Sequence, residues 1–155
     1  MRPKHLVTLL VLLAILLALA VAATLASPAA PAHASGIVSV CDETHLMTAV
    51  AGGGTVTFSC SGTITLTAEI TIAADTTIDG SGQTVTISGN HAVRVFTVNS
   101  GVTLNLNRLT VANGSAATGG GGGIYNSGTL TVSNSTFSGN SAYSGGGIEN
   151  GGTLT

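Results

Sequence analysis

The chain has 155 residues, of which 44% are hydrophobic and only 6% are charged, and its net charge is −2 with histidine neutral. So few charges, without a basic cluster, argue against nucleic acid or an acidic membrane surface as a partner. Val, Ile and Leu are plentiful, which argues against disorder. The polar residues are mainly Gly, Thr, Ser and Asn, which favour strands and turns over helices.

The N-terminal segment has the pattern of an export signal. Basic residues precede an apolar stretch that begins at Leu6 and ends at Ala26, and Ala32-His33-Ala34 fits a signal-peptidase site. We therefore predict a signal peptide over residues 1–34, cleaved between Ala34 and Ser35, and a secreted or cell-surface location that includes the outer membrane. The alternative is an uncleaved anchor, because about 20 apolar residues can span a bilayer. This segment is the only membrane contact that we predict.

The two cysteines of the chain are Cys41 and Cys60. In an oxidising compartment such a pair predicts a disulfide, which would stabilise the fold by about 3 kcal/mol in the chain-entropy model. Two free thiols are the alternative. A zinc site needs more ligands than this pair and His45 supply.

One short segment after the signal has helical spacing. Asp42 can cap it, and Leu46, Met47 and Val50 recur at helical intervals before three consecutive glycines. We predict a helix over residues 42–51 that covers the first coil, within an N-terminal cap over residues 35–54. Beyond Gly54, apolar residues alternate with Thr, Ser or Asn, which predicts short strands over residues 55–155.

A repeat of 24 to 26 residues runs through these strands. The triplet Gly122-Gly123-Ile124 recurs as Gly146-Gly147-Ile148, and Asn126 recurs as Asn150. Weaker copies extend the repeat towards the N-terminus and predict three inward-facing apolar columns. The columns are Ile72, Val98, Ile124 and Ile148; Ile78, Leu104, Leu130 and Leu154; and Val85, Val111 and Phe137. Three columns with one period predict an all-β parallel β-helix, a solenoid with three sheets.

The sequence ends at Thr155, inside a repeat. A solenoid needs a capping element at each end to cover its exposed core and strand edges. We therefore expect the β-helix to be incomplete at its C-terminus, with further coils following Thr155.

The repeat resembles a known one. Gly-Gly-Ile followed by Phe137-Ser138-Gly139-Asn140 is similar to the GG[AI]…FxxN repeats of polymorphic outer membrane proteins. Such repeats also occur in bacterial secreted proteins of the pectin-lyase-like superfamily. The segment Thr76-Thr77-Ile78-Asp79-Gly80-Ser81-Gly82 looks like a turn shared by many β-helix proteins. The resemblance covers residues 41–155 and implies a right-handed parallel β-helix, but it implies no particular activity.

Asp75 and Asp79 form the only close acid pair on the predicted strands. In pectate lyases and polygalacturonases, carboxylates on a β-helix bind calcium or act as acid and base. However, Asp79 precedes Gly80 in a turn, where Asp often bonds its own backbone. We place Asp79 in a column with Asn105 and Thr131, so we favour a structural role, with catalysis as the alternative.

Arg94, Arg108 and His91 are the other candidates for lyase chemistry, which needs a base or a charge clamp. The two arginines are 14 residues apart with no acid beside both, so we interpret them as surface residues and His91 as a loop residue. The glycine run over residues 119–123 lacks the Lys-Ser/Thr of a phosphate loop and is interpreted as a turn. We predict no catalytic residue, metal or cofactor.

The asparagines and threonines of the repeat have structural interpretations. Asn126 and Asn150 share one coil position, where their amides can form a hydrogen-bonded ladder. Flat Thr-x-Thr arrays on β-helices are the basis of ice-binding surfaces, and threonine is also a good outward-facing strand residue. The predicted threonine columns are Thr77, Thr103, Thr129 and Thr153, with Thr131 and Thr155 in a second column that begins with Asp79 and Asn105.

These observations predict an exported, non-catalytic β-helix repeat protein that serves as a structural or adhesin-like stalk. Its polar faces would bind glycans or surface proteins, without a specific ligand being implied. One alternative is the N-terminal fragment of a polysaccharide lyase or glycosidase of the pectin-lyase-like fold, whose catalytic coils would lie beyond Thr155. An ice-binding protein is the remote alternative.

Overall fold

The computed structural model describes residues 36–155, which form one helix and sixteen short strands. The predicted signal peptide and its cleavage site lie outside the described residues. The helix is α1 (Glu43–Val50). The strands are β1 (Gly36–Val38), β2 (Gly54–Phe58), β3 (Gly62–Thr65), β4 (Ile70–Ile72), β5 (Thr76–Asp79), β6 (Val85–Ser88), β7 (Phe96–Val98), β8 (Thr103–Asn107), β9 (Thr110–Ala112), β10 (Ser115–Gly120), β11 (Ile124–Asn126), β12 (Thr129–Ser133), β13 (Thr136–Ser138), β14 (Ser141–Ser144), β15 (Ile148–Asn150) and β16 (Thr153–Leu154).

The strands stack into three parallel sheets, which confirms the predicted all-β parallel solenoid. Sheet A has the order β1-β2-β5-β8-β12-β16, sheet B has the order β3-β6-β9-β13, and sheet C has the order β4-β7-β11-β15. From β2 onwards, and leaving aside β10 and β14, successive strands visit A, B and C in turn, so each coil contributes one strand to each sheet. Between sheets B and C, the later coils add a two-stranded parallel ribbon of β10 and β14.

The interior is filled by the alternate side chains that point inward from all three sheets. Most of these side chains are aliphatic, and burying an apolar one contributes about 1.5–3 kcal/mol. The fully buried ones include Ile64, Leu66, Ile72, Ile78, Ile87, Phe96, Leu104, Leu106, Ile124 and Leu130. Because each coil alone would leave its apolar side exposed, the core forms only when coils stack.

The predicted apolar columns are right in some coils. Leu130 lies in register with both Leu104 and Leu154. Val111 lies beside Phe137, and Ile124 lies beside Ile148. The pairing of Ile72 with Val98 is also as predicted. These pairs are separated by the 24 or 26 residues of the recognised repeat.

Three predicted pairs are wrong, and each is displaced by two residues. They are Val98 with Ile124, Ile78 with Leu104, and Val85 with Val111. The structure instead pairs Phe96 with Ile124, Ile78 with Leu106, and Ile87 with Val111. A shift by two residues keeps every side chain on the same face of the sheet, so alternation alone does not distinguish the two registers.

The N-terminal cap combines α1 with a strand that the sequence did not predict. The helix begins at Glu43, one residue after its N-cap Asp42, whose Oδ1 accepts a hydrogen bond of 2.9 Å from the His45 N–H. Leu46 and Val50 are buried against the first coil. Strand β1 pairs in parallel with β2 and covers the first strand of sheet A. No helix within residues 36–155 is long and apolar enough to cross a bilayer.

Two side-chain links also hold the cap to the first coil. The predicted disulfide is confirmed, with Cys41 and Cys60 joined and their Cα atoms 5.7 Å apart. The Glu43 carboxylate accepts hydrogen bonds from the Thr67 N–H and hydroxyl, both at 2.7 Å, and from the Ala68 N–H at 3.0 Å. The Thr67 hydroxyl, followed by the Thr67 N–H, lowers the pKa of Glu43.

Candidate binding surface

The repeated asparagines bridge successive coils. Asn126 is fully buried, and its Nδ2 donates to Asn150 Oδ1 at 2.6 Å and to the Thr153 carbonyl at 2.9 Å. Its Oδ1 accepts from the Gly128 N–H at 3.1 Å. One side chain therefore forms hydrogen bonds with backbone groups in its own turn and in the next coil. Buried backbone N–H and C=O groups need such partners.

The FxxN segment also joins neighbouring coils. Asn140 Oδ1 accepts from the Gly114 N–H at 2.7 Å, and its Nδ2 donates to the Val111 carbonyl at 2.9 Å. Phe137 is half-buried against the core. The Asn of the FxxN motif therefore binds backbone groups of the neighbouring coil, and the Phe packs against the core.

Three glycines of the repeated triplets lie where neighbouring coils approach closely. A Cβ atom on Gly123 would lie 2.5 Å from the Gly147 carbonyl oxygen, and one on Gly122 would lie 2.3 Å from the Ser141 oxygen. A Cβ on Gly146 would lie 2.8 Å from the Asn140 carbonyl oxygen. The glycine run is therefore a turn that a side chain would force apart.

Asp75 and Asp79 both bind backbone or turn groups. Asp79 Oδ1 accepts from the Ser81 N–H at 3.0 Å, from the Ser81 hydroxyl at 2.6 Å and from Asn107 Nδ2 at 2.9 Å. The Ser81 hydroxyl and N–H lower the pKa of Asp79. Asp75 Oδ1 accepts from the Thr103 N–H at 2.8 Å. The predicted column was wrong here, because Asp79 lies beside Asn107 and not beside Asn105.

Arg108 and His91 are exposed residues in turns. Both have a positive φ, 53° and 57° respectively. Their N–H groups donate to carbonyls of the next coil, Arg108 to Ser133 and His91 to Asn113. Within residues 36–155, no group of three or more His, Cys, Asp or Glu residues is arranged to hold a metal ion.

Arg94 differs from the predicted surface arginine. Its side chain is only 17% exposed and its Nη1 lies 2.8 Å from Glu69 Oε2. The same nitrogen donates to the Thr97 hydroxyl at 3.1 Å. Nε donates to the Gly121 carbonyl at 2.9 Å, and Nη2 donates to the Gly120 carbonyl at 3.0 Å. Arg94 therefore clamps the end of β10 to the coil below it.

One of the two tyrosines, Tyr125, lies beside this clamp. Arg94 Cζ is 5.3 Å from the centroid of the Tyr125 ring, within the range of a cation–π contact. In sheet C, Tyr125 lies between Thr97 and Glu149. Tyr125 is 37% exposed, and Tyr143, on β14 of the ribbon, is 92% exposed.

A second contact connects the ribbon to sheet C. Glu149 Oε2 accepts a hydrogen bond of 3.1 Å from the hydroxyl of Ser144, the residue that follows Tyr143. We call the surface formed by Glu69, Arg94, Tyr125 and Glu149 the tyrosine face. An adjoining groove of about 270 Å³ is lined by Glu69, Val93, Arg94 and residues 115–118.

Sequence reasoning missed the tyrosine face because its members are far apart along the chain. Glu69 and Arg94 are 25 residues apart, and Gly121 lies 27 residues beyond Arg94. Only the correct coil register brings them together. One signal was present in the sequence, since the chain has two tyrosines and no tryptophan, and both tyrosines lie close to the repeated glycines.

The threonine columns also differ from the prediction. Thr103, Thr129 and Thr153 are in register, but Thr77 lies beside Asn105. An unpredicted column lies on the outer face of sheet B. It consists of Thr63, Thr86, Thr110 and Thr136.

Comparison with known proteins adds no family to this description. No family model, no curated protein and no solved structure matches the chain. The solenoid and the side-chain geometry of residues 36–155 therefore carry the functional argument.

Proposed function

We propose that the protein is an exported, non-catalytic β-helix repeat protein that acts as a structural or adhesin-like stalk at the cell surface. The proposal includes a right-handed helix of the pectin-lyase-like type, with repeats like those of polymorphic outer membrane proteins. It rests on the signal pattern before Ser35, on the GG[AI]…FxxN motifs and on the all-parallel solenoid.

One observation carries the non-catalytic part of the proposal. All six acidic residues of the chain accept hydrogen bonds within the fold. Asp42 caps α1, Glu43 holds the cap to the first coil, and Glu69 pairs with Arg94. The remaining three are Asp75, Asp79 and Glu149. A general acid or base needs a carboxyl group that is positioned towards substrate, and these groups instead hold turns and neighbouring coils.

A cleavage assay tests this part of the proposal. The purified protein is incubated with polygalacturonate, with and without calcium, and with neutral polysaccharides, and new reducing ends and unsaturated uronate are measured. We expect no product above that of the buffer. Cleavage of any of these polymers that is lost on unfolding the protein supports the lyase or glycosidase alternative and contradicts the proposal.

Fractionation tests the location. Expressed with its own N-terminal segment in a Gram-negative host, the protein is expected outside the cytoplasm, with a mature N-terminus at Ser35. Retention in the cytoplasm contradicts the proposal, and export with an intact N-terminus favours the anchored form.

Ice binding keeps one supporting observation, the threonine column of sheet B. The neighbouring row on that sheet contains Thr65, Ser88, Ala112 and Ser138, of which Ser88 and Ala112 are buried. The exposed array is therefore one residue wide over its middle coils, which is a weak basis for binding a crystal surface. Thermal hysteresis in the purified protein would favour this second candidate.

A further inference from the structure

We propose that Asn134 is the acceptor of an N-linked glycan and that Asn113, the second asparagine with a suitable motif, is not. The inference rests on the proposed export, because oligosaccharides are transferred to such motifs on the outer side of an exporting membrane. It goes beyond that proposal by naming a modification site and its donor class, a lipid-pyrophosphate-linked oligosaccharide. It is drawn from two similar motifs that the fold places in different surroundings.

The chain contains two matches to the acceptor motif Asn-x-Ser/Thr. They are Asn113-Gly114-Ser115 and Asn134-Ser135-Thr136, and neither has proline in the middle position. An N-linked glycan is bulky and polar, so a modified asparagine must lie in a surface turn of the folded protein. The surroundings of each asparagine therefore separate two motifs that the sequence alone does not.

Asn134 lies in an exposed turn. Asn134 and Ser135 connect β12 to β13, and both Asn134 and Thr136 are exposed. The Asn134 Nδ2 donates one long hydrogen bond of 3.3 Å to Asn107 Oδ1. A side-chain amide has two N–H groups and keeps one of them when a sugar is attached. This hydrogen bond can therefore persist after the modification.

A groove of about 220 Å³ opens beside this motif. It is lined by Asn134, Thr136 and residues 83–85 and 108–110. The two side chains that the motif requires therefore reach the same open space. The first sugar of a glycan on Asn134 can lie in this groove without displacing any residue of the core.

Asn113, by contrast, lies in a contact between coils. A Cβ atom on Gly139 would lie 2.5 Å from Asn113 Oδ1, so the side chain has no room on that side for a methyl group. The Asn113 N–H donates to the Ser138 carbonyl at 2.9 Å. Gly114 is buried, and its N–H donates to Asn140 Oδ1 at 2.7 Å. A glycan on Asn113 would therefore have to push neighbouring coils apart.

The transfer itself is a substitution at the first sugar. Asn134 Nδ2 forms a bond to C1 of that sugar, and the bond between C1 and the lipid pyrophosphate breaks. The lipid pyrophosphate leaves with the bonding electrons, and the amide proton passes to a base of the oligosaccharyltransferase. The donor and the transferase belong to the exporting cell, so this chain supplies only the acceptor amide and the Thr136 hydroxyl.

Expression in mammalian cells, which contain an oligosaccharyltransferase, tests the site. The chain is expressed with its own N-terminal segment and, in parallel, with residues 1–34 replaced by a secretory signal of the host. Protein from the medium and from the cells is analysed by intact mass and peptide mapping. The same measurements follow digestion with peptide-N-glycosidase F, which converts a glycosylated asparagine to aspartate. We expect one glycan, with Asn134 converted and Asn113 unchanged.

Matched variants separate the two motifs. Thr136→Ala removes the hydroxyl of one motif while keeping Asn134, and the glycan should be lost. Thr136→Ser should retain the glycan. Ser115→Ala makes the equivalent change in the other motif and should leave the glycan in place. Thr136 is exposed and Ser115 is half-buried, so neither change removes a side chain from the core.

Three results would overturn the inference. These are the absence of a glycan on Asn134 from both forms of the chain, a glycan retained by Thr136→Ala, and secreted protein with a glycan on Asn113. Export by the chain's own N-terminal segment is measured separately in the Gram-negative host. A chain that is exported there but receives no glycan in mammalian cells would therefore overturn the acceptor site without overturning the stalk proposal.

Discussion

Asn126 donates a hydrogen bond of 2.6 Å to Asn150, the residue 24 positions later in the next coil. Asn126 is fully buried, whereas Asn150 is exposed. The same Asn126 amide group also serves the Gly128 N–H and the Thr153 carbonyl. A single side chain therefore connects two coils at the end of β11, where the chain turns towards β12.

Replacing Asn126 should destabilise the solenoid. Asn126→Ala leaves buried backbone groups without partners, and we expect a loss of about 1–3 kcal/mol in the free energy of unfolding. Urea denaturation followed by far-UV circular dichroism measures this change. Asn99→Ala, at an exposed asparagine in another turn, is the control and should change the free energy little. Equal stability of the two variants would contradict the structural role of Asn126.

The disulfide should contribute measurably to stability. The Cys41→Ala/Cys60→Ala double variant loses a loop closure across 19 positions, and the expected cost is about 3 kcal/mol. The midpoint of urea unfolding should fall in this variant, and a reductant should lower the midpoint of the unchanged protein by a similar amount. The double variant itself should be insensitive to the reductant. A reductant without effect on the unchanged protein would show that the disulfide adds no stability.

Glycine at position 123 should be intolerant of a side chain. Gly123→Ala places a methyl group 2.5 Å from the Gly147 oxygen, and separating the coils to accommodate it should cost about 1–3 kcal/mol. At Gly151 the nearest atom to an added Cβ is 3.6 Å away, so Gly151→Ala should be nearly neutral. Thermal unfolding of the two variants gives the comparison, and a neutral Gly123→Ala would disprove the close approach.

Acid should weaken the link between the cap and the first coil. The hydrogen bonds from Thr67 hold the pKa of Glu43 below the ordinary value of a glutamate, about 4.3. A lowered folded-state pKa means that the ionised carboxylate adds stability above the unfolded-state pKa. This contribution is lost as the pH falls through the folded-state pKa. Asp42 and Asp79, whose pKa values are lowered by hydrogen bonds from His45 and Ser81, should act in the same direction.

The Glu43→Gln variant isolates one of these groups. It should be less stable than the unchanged protein at pH 7, and the difference should shrink once the pH is well below 4. Urea midpoints measured at pH 7, 5, 4 and 3 test the sign. A difference that stays constant over this range would mean that ionisation of Glu43 does not contribute.

Arg94 should control the order of the ribbon more than the stability of the coils. Arg94→Ala removes the donors to the Gly120 and Gly121 carbonyls, and a hydrogen bond from a charged group is worth about 1.5–3 kcal/mol. Hydrogen exchange should therefore accelerate in residues 115–121 and 141–145, while the strands of sheet A stay protected. Arg94→Lys should rescue this only in part, because an ammonium group cannot reproduce the planar fork. Unchanged exchange in the ribbon would contradict the clamp.

Much of the architecture could be predicted from the sequence, because alternation, repeated glycines and paired cysteines are local signals. The coil register could not be predicted throughout. The predicted pair of Ile78 with Leu104 is as apolar as the observed pair of Ile78 with Leu106. Both registers keep these side chains pointing inward. The register between β11 and β15 was predicted correctly because a distinctive repeated residue, Asn126 and Asn150, occurs in both strands. Sequence reasoning missed the environment of Arg94, because its partners depend on the register of three coils.

The ribbon between sheets B and C has a consequence for how such a chain can diversify. It occupies one corner of the later coils, while the coils before it connect the same two sheets without a paired strand there. The spacing of paired residues varies from 22 to 28 along the solenoid, yet every sheet continues unbroken. Insertions and deletions at this corner would therefore alter the displayed side chains without disturbing the buried columns. A lineage could vary the exposed surface there while inheriting its scaffold unchanged.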